Sequence, residues 1–526
     1  MTASGPGFRI AGLTARLLIA LSLSAAFLGP PAAGRETLAP RTVEPVPVAS
    51  EQSESSAQGA SVTSHTVTVN GSPIQYRATA GLMPIRDTAG RVVADIFFVA
   101  YERQGVTSSP DTSRPITFAF NGGPGASAVW LHMGGLGPRR AVLPRSGTTL
   151  PDADRLQDNE YTWLEFTDLV FVDPVGSGFS RAAPGVDPGQ FFEVREDVNV
   201  ACEFVRLFAT EHERWLSPQF IVGESYGAAR AVAMARRLQE HYGLYIEGLV
   251  LLSSALNMGT ISFDPGNDLP YVLILPSYAA AARYHGRLGE KTPHAFERTL
   301  EKVETWALDE YIVSLASGSL LSEAQFRQTA GRLAEYTGLP EETIAASHLR
   351  IRNGDFIQEL LRARNRTLGL LDSRVTVGNA WLRRHDWTDP SFFLVQGPLV
   401  AALNGYVRTE LGFKTNLAYI SLSDKANRSW NWGGSEHGYL NVAPVLAEAM
   451  SLDNRLRVFA AAGYYDLTTP YLSQEYVFNH LDLPLNLRKN ITFRRYHCGH
   501  QIYISTESLR ELTGDVRAFM IQSNTR

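Results

Sequence analysis

Cysteine is nearly absent, with two in 526 residues, Cys202 and Cys498. So few exclude a disulfide-stapled scaffold, and their wide separation excludes a CxxC zinc or redox pair. An excess of charge is lacking as well. The 48 Lys+Arg residues stand against 53 Asp+Glu, a net charge of −5. It is spread along the chain, which argues against nucleic acid as a partner. No apolar run reaches the roughly 20 residues of a spanning helix, and no internal repeat is present. What remains is a chain 44% hydrophobic and 19% charged, long enough to bury a sizeable core without staples.

The N-terminus reads as an address. Arg9 and Arg16 precede the apolar run Leu17–Leu28, and Gly29-Pro30-Pro31-Ala32-Ala33-Gly34 follows it. A basic segment, a short apolar core and a small-residue exit make a secretory signal over 1–34. No cysteine follows the run, which excludes a lipoprotein anchor, and no Arg-Arg pair precedes it. No stable membrane anchor is therefore expected after cleavage. Residues 35–63 are rich in Pro, Ser and Gln and lack aromatics, the composition of a disordered linker.

From residue 64 the pattern changes to strands and helices. HTVTV (65–69) alternates and runs into the turn pair Asn70-Gly71. ADIFFVAYE (94–102), PITFAF (115–120), DLVFVDP (168–174), QFIVGES (219–225), IEGLVLLSS (246–254), RLRVFAAAG (455–463) and NITFRRY (490–496) are short buried-strand runs. Helical segments between them predict an α/β fold with a mostly parallel central sheet and helices on both faces. Arg195–Glu213 places Val198, Ala201, Cys202, Val205, Phe208 and Ala209 on one helical face. Strand signals thin out over 275–398, where ERTLEKVETWALDEYI and FIQELLRARNRTLGLL read as amphipathic helices. The expected organisation is a core over 64–274 and 399–526, with a helical cap inserted at 275–398.

Three strand ends carry chemistry. Gly223-Glu224-Ser225-Tyr226-Gly227 follows QFIV and opens the helix AARAVAMARRLQEHY. This is G-x-S-x-G in strand–turn–helix context, which exposes a serine on a strained turn and points the Tyr226 N–H into the site. A serine hydroxyl needs a base, and the base needs an orienting acid. Asp466 lies just past RLRVFAAAG and His500 just past NITFRRY, in the order Ser, Asp, His of an α/β-hydrolase. His497 is the competing base, but Gly499 permits the turn that returns His500 toward the serine. His497-Cys498-Gly499-His500 has metal-ligand residue types, yet no further His or Cys cluster supports it, so neither metal nor cofactor is expected. The third element, Asn121-Gly122-Gly123-Pro124-Gly125, follows PITFAF and leaves backbone N–H groups open to a ligand. No GK[ST] follows and no lysine is near, which argues against a phosphate loop. In a serine hydrolase this loop supplies a second oxyanion donor beside Tyr226.

NGGPGAS, GESYG, GYYD and CGH, in this order, resemble the motifs of the serine carboxypeptidase family, the cathepsin A and carboxypeptidase Y group. YTWLEFTDLVFVDPVGSGFS (161–180) extends the likeness, which covers about residues 65–526 and is weakest through the cap. The resemblance implies an α/β-hydrolase that releases C-terminal residues from peptides, often best at acid pH. It implies Ser225 as nucleophile, Asp466 as orienting acid, His500 as base, and the Gly123 and Tyr226 amides as oxyanion hole. It implies that Asn121, Gly122 and Glu224 bind substrate, with Glu224 and Asn121 on its C-terminal carboxylate. Two carboxyl groups in contact cannot both be ionised, so such binding weakens as pH rises.

This sequence also departs from the family pattern. The family's second carboxylate-binding Glu stands where this chain has Gly135, and its Trp two residues before the Asn is Ala119. Trp130 and His132 are candidates to compensate. Cys498, next to the proposed base, is expected to line the site and make it thiol-sensitive. Arg139-Arg140 reads as a solvated turn. The leading expectation is an exported carboxypeptidase, periplasmic or secreted, acting on peptides with a free C-terminus. An esterase, amidase or acyltransferase on the same triad is the alternative. A binding protein that keeps the fold without using the site is the third reading.

Overall fold

The computed structural model describes residues 60–105, 111–151, 156–288, 295–378, 389–433 and 438–524. The expected signal segment and all but the last residues of the expected linker lie outside them. Strand β1 (Ser61–Val69) begins inside the stretch read as linker, because Ser61, Val62 and Thr63 continue the ladder opposite Ala80, Thr79 and Ala78. Asn70 and Gly71 turn it into β2 (Ser72–Arg86), both with positive φ, 50° and 77°, as a two-residue hairpin turn requires. β2 pairs antiparallel with β3 (Val92–Arg103).

The strands that follow are β4 (Ile116–Phe120), β5 (Asp168–Val172), β6 (Gln219–Glu224), β7 (Gly248–Leu252), β8 (Arg457–Gly463) and β9 (Ile491–Tyr496). The sheet runs β1-β2-β3-β5-β4-β6-β7-β8-β9, with the two-residue strand Arg181–Ala182 beside β3. From β5 to β9 every neighbouring pair is parallel. The chain is an α/β-hydrolase in fold. Each buried strand divides its side chains between two cores, as its period of two demands. Phe118, Ile221, Leu249, Leu251 and Val458 pack with helices α1 (Val194–Glu211) and α2 (Tyr226–Arg237) on one face. Ala119, Phe220, Val222, Val250 and Phe459 pack on the other, with helices that follow below.

Between β7 and β8 the chain is mainly helical. A third core gathers Tyr278, Val303, Tyr311, Leu333 and Phe356 and reaches the sheet through Ala462, Tyr465 and Leu467. The boundaries expected at 275 and 398 both fall inside continuous helices, α3 (Leu269–Tyr284) and α4 (Pro390–Thr409). Each helix carries an unbroken buried stripe across the expected boundary, Tyr271–Leu275–Tyr278–Ala282 and Val395–Leu399–Leu403–Tyr406, so neither stops there. FIQELLRARNRTLGLL is not one helix. The helix ends at Glu359, Asn365 takes a left-handed φ of 52°, and Arg366–Leu368 pairs antiparallel with Thr376–Gly378. The last helix, α5 (Thr506–Asn524), follows the loop after β9, and its Leu509, Leu512 and Val516 join α4 in the second core.

Candidate active site

Because β4, β6, β8 and β9 are parallel, the segments leaving their C-terminal ends meet along one edge of the sheet. β6 ends at Glu224, and Ser225 takes φ 59° and ψ −125° before α2 begins at Tyr226. A non-glycine residue in that conformation is held by its surroundings. The Ser225 N–H donates to the Leu252 carbonyl at 3.0 Å, and its own carbonyl accepts from Ala228 and Ala255. The flanking glycines are required by close approach. A Cβ on Gly223 would lie 2.1 Å from the Gly227 oxygen, and one on Gly227 would lie 2.5 Å from the Phe120 oxygen. Ser225 is half-buried between residues that are fully buried.

The structure brings His500 and Asp466 together and leaves His497 out. His500 Nδ1 lies 2.7 Å from Asp466 Oδ2. Asp466 has no exposed surface and also accepts from the Thr468 and Thr469 amides and the Thr469 hydroxyl. Burial lowers the pKa of His500, but the charge and hydrogen bond of Asp466 raise it more, so the net displacement is upward. His497 is exposed, stacked near Phe296 and Tyr464. The loop carrying His500 is pinned by a helical-region residue that the sequence did not single out. The His500 N–H donates to the Leu371 carbonyl at 2.6 Å, while Ser253 Oγ donates to the His500 carbonyl. Among the described residues no cluster of three or more His, Cys, Asp or Glu could hold a metal ion.

The glycine loop after β4 lies against the serine turn. A Cβ on Gly122 would lie 2.6 Å from the Tyr226 nitrogen and 2.6 Å from the Glu224 oxygen. Gly123 has φ +96°. Neither the Gly123 nor the Tyr226 N–H donates to another group among the described residues. Behind the loop, Arg230 Nη1 donates to the Asn121 carbonyl at 2.5 Å and Nε to Asp197 Oδ2 at 2.7 Å, while the Tyr226 hydroxyl donates to the same carboxylate. This buried network ties the loop to α1 and α2. Asp173 fixes the far end of the loop by accepting from the Ala128 and Phe179 amides and the Tyr419 hydroxyl, and burial pushes its pKa up to about 6.

Glu224 is 3% exposed. Its Oε2 accepts from Asn121 Nδ2 and, at 2.9 Å, from the Tyr503 hydroxyl, while Oε1 has no hydrogen-bond partner among the described residues. Burial pushes its pKa up to about 7, against the opposing pull of His500, Tyr503 and Asn121. Tyr503 was missed because it lies beyond the His500 motif and carries no recurring signal. The two compensating candidates are engaged elsewhere. His132 Nε2 pairs with the Tyr101 hydroxyl at 2.6 Å and stacks on Phe171, and Trp130 Nε1 donates to the Ser421 carbonyl. Both cysteines are free and buried, and burial pushes the Cys498 thiol up. That makes a thiolate costly and overturns the expected sensitivity. Arg140 is 3% exposed, not solvated, because its short strand packs inward against the segment His132–Leu136.

Residues 70–251 match the serine carboxypeptidase family. The chain is 32% identical over 148 residues to the pheromone-processing carboxypeptidase kex1 of Aspergillus niger, which covers 28% of this chain and 22% of that protein. It is 28% identical over 157 residues to serine carboxypeptidase-like 31 of Arabidopsis thaliana, covering 29% of this chain and 28% of that one. These alignments thus span about a quarter of the relatives' length. Among solved structures, the prohormone-processing carboxypeptidase Kex1 of Saccharomyces cerevisiae superposes with a TM-score of 0.55 over 85% of this chain and 91% of its own, at 16% identity. That likeness establishes the fold. The family match contains the glycine loop and the serine turn, while Asp466 and His500 lie beyond it.

Proposed function

We propose that the chain is an exported serine-type carboxypeptidase that releases C-terminal residues from peptides through an acyl-enzyme. The observation that carries this reading is Glu224. It is a buried acid next to the half-buried Ser225, with its ionisation displaced to about 7 and one oxygen without a hydrogen-bond partner among the described residues. Ser225 Oγ attacks the last peptide carbonyl, and its proton passes to His500 Nε2. The oxyanion forms against the Gly123 and Tyr226 amides, which have no competing acceptor among the described residues. The C–N bond breaks as His500 returns the proton to the leaving amine. Water then attacks the ester with His500 again as base, and Ser225 recovers its proton. Asp466 holds the imidazole tautomer and stabilises the imidazolium.

Glu224 and Asn121, with the Gly122 backbone beside them, form the site for the substrate's terminal carboxylate. A protonated Glu224 donates to that carboxylate, and an ionised one repels it. The helical region between β7 and β8 forms the wall over this edge, and residues 1–34 direct export.

A second reading is supported by Gly135 and by the burial of the Asn121–Glu224 pair, 1% and 3% exposed. In it the acid only braces the turn, and the enzyme is an esterase, amidase or acyltransferase. One N-blocked dipeptide, offered as free acid, C-terminal amide and ester, separates the two. Preferential release from the acid, absent in Ser225→Ala, is expected, and equal turnover of acid and amide overturns carboxypeptidase specificity. Absence of fluorophosphonate labelling at Ser225 would instead point to a non-catalytic binding protein.

A further inference from the structure

Tyr503 lies against Gly135, the position at which the family resemblance implies a second acid. Tyr503 sits three residues beyond His500 in a short helical turn (Ile502–Ile504) and has no exposed surface. Its ring lies across Gly134 and Gly135. A Cβ on Gly134 would stand 2.6 Å from Tyr503 Cε2 and 2.7 Å from Cδ2, and one on Gly135 would stand 2.7 Å from Tyr503 Cβ. A side chain at Gly134 and the Tyr503 ring therefore exclude each other, and a side chain at Gly135 is excluded by the Tyr503 Cβ. From that seat the phenol reaches across the sheet edge and donates to Glu224 Oε2 at 2.9 Å. Asn121 Nδ2 donates to the same oxygen. Oε1, itself buried, has no hydrogen-bond partner among the described residues.

We propose that Tyr503 is a positioning residue that replaces the second acid, its phenol clamping Glu224 Oε2 together with Asn121 so that Oε1 is the oxygen left for the substrate's C-terminal carboxylate. The inference rests on the reading of Glu224 as the carboxylate-binding group. It gives Gly134 and Gly135 a role, since only residues without a side chain admit Tyr503, its ring at the first and its Cβ at the second.

The replacement changes the chemistry of the grip. Two carboxyls in contact share a proton, and each raises the other's pKa. A phenol O–H donating to a carboxylate favours its ionised form instead. The groups acting on Glu224 are Asn121 after β4, Asp466 after β8, and His500 and Tyr503 after β9. Of these, Asp466 raises Glu224, while His500, Tyr503 and Asn121 lower it. Removing the phenol hydroxyl alone therefore moves the ionisation of Glu224 to higher pH.

The test is Tyr503→Phe, assayed from pH 4 to 9 with an N-blocked dipeptide acid and the matching ester, beside wild type. Up to about a tenfold fall in the acid-to-ester ratio of kcat/KM is expected below pH 6, the worth of one hydrogen bond. The alkaline fall of kcat/KM for the acid substrate should also move up by about one pH unit, as loss of a bond to a charged group implies. Equal loss on acid and ester with an unmoved limb would mean that Tyr503 only supports the fold, and an unchanged profile would remove it from the grip. If wild type itself shows no preference for the acid, both the carboxylate reading and this inference fall. As a second variant, Gly135→Glu combined with Tyr503→Gly, which removes the Tyr503 Cβ as well as the ring, should regain selectivity that Tyr503→Gly lacks. Full selectivity in Gly135→Glu alone would overturn the exclusion argument.

Discussion

Asp466 Oδ2 stands 2.7 Å from His500 Nδ1, and the same carboxylate is saturated by the Thr468 and Thr469 amides and the Thr469 hydroxyl. The acid cannot swing away without breaking four contacts at once, so the imidazole is held in one orientation. Asp466→Asn keeps the shape but invites the wrong tautomer. It should lower kcat by about 10⁴-fold, as in other triads. Single-turnover kinetics on an activated ester would show this, and a loss below tenfold would remove Asp466 from the role.

Peptide hydrolysis should show a narrow optimum near neutrality. His500 must be neutral to act as base, and its pKa is raised, so activity climbs with pH through that ionisation. Glu224 must keep its proton to receive the terminal carboxylate, so activity on free-acid peptides falls as pH passes about 7. Ester substrates need only the first ionisation and should plateau on the alkaline side. A pH–rate profile with both substrates checks this. Parallel profiles would contradict it, as would an optimum below pH 5.

Stability should carry the same signature. Because the folded state raises the pKa of Glu224 from 4.5 to about 7, the cost of ionising it is absent below about pH 4.5, grows between the two values and is constant above. That penalty is on the order of 3 kcal/mol. Glu224→Gln, which cannot ionise, should melt higher than wild type at pH 8.5 and gain nothing at pH 4. Equal shifts at both values would disprove the linkage.

Gly122→Ala should cripple the oxyanion site without unfolding the sheet. The added methyl would meet the Tyr226 nitrogen at 2.6 Å and push the loop off the serine turn. A loss of about 10²- to 10³-fold in kcat is expected for a displaced donor. Fluorophosphonate labelling rates and a melting curve measured together separate this from misfolding.

Thiol reagents should leave the native enzyme active. Cys498 is 1% exposed and Cys202 fully buried, and burial holds both thiols protonated. Modification should appear only with unfolding, and inactivation under native conditions would show that the loop after β9 opens.

Local pattern was enough to place the central strands, the serine turn and the order of Ser225, Asp466 and His500. Each of these rests on short-range rules: the period of a strand, the small residues a tight turn demands, and the loop that must follow a strand. What only the tertiary structure decided joins residues far apart in the chain. Tyr503 meets Glu224 across 279 positions, Leu371 reaches out of the helical region to pin His500, and Arg230 ties the glycine loop to Asp197. No spacing rule announces such pairs, because strand order, not sequence separation, sets which loops meet. His500 and not His497 meets Asp466 for the same reason, because of the ring that the parallel strands β8 and β9 bring against that carboxylate. The departure at Gly135 could be read from the family resemblance. The residue that covers it could not, because Tyr503 lies against Gly134 and Gly135 only once the loop after β9 has folded over the loop after β4.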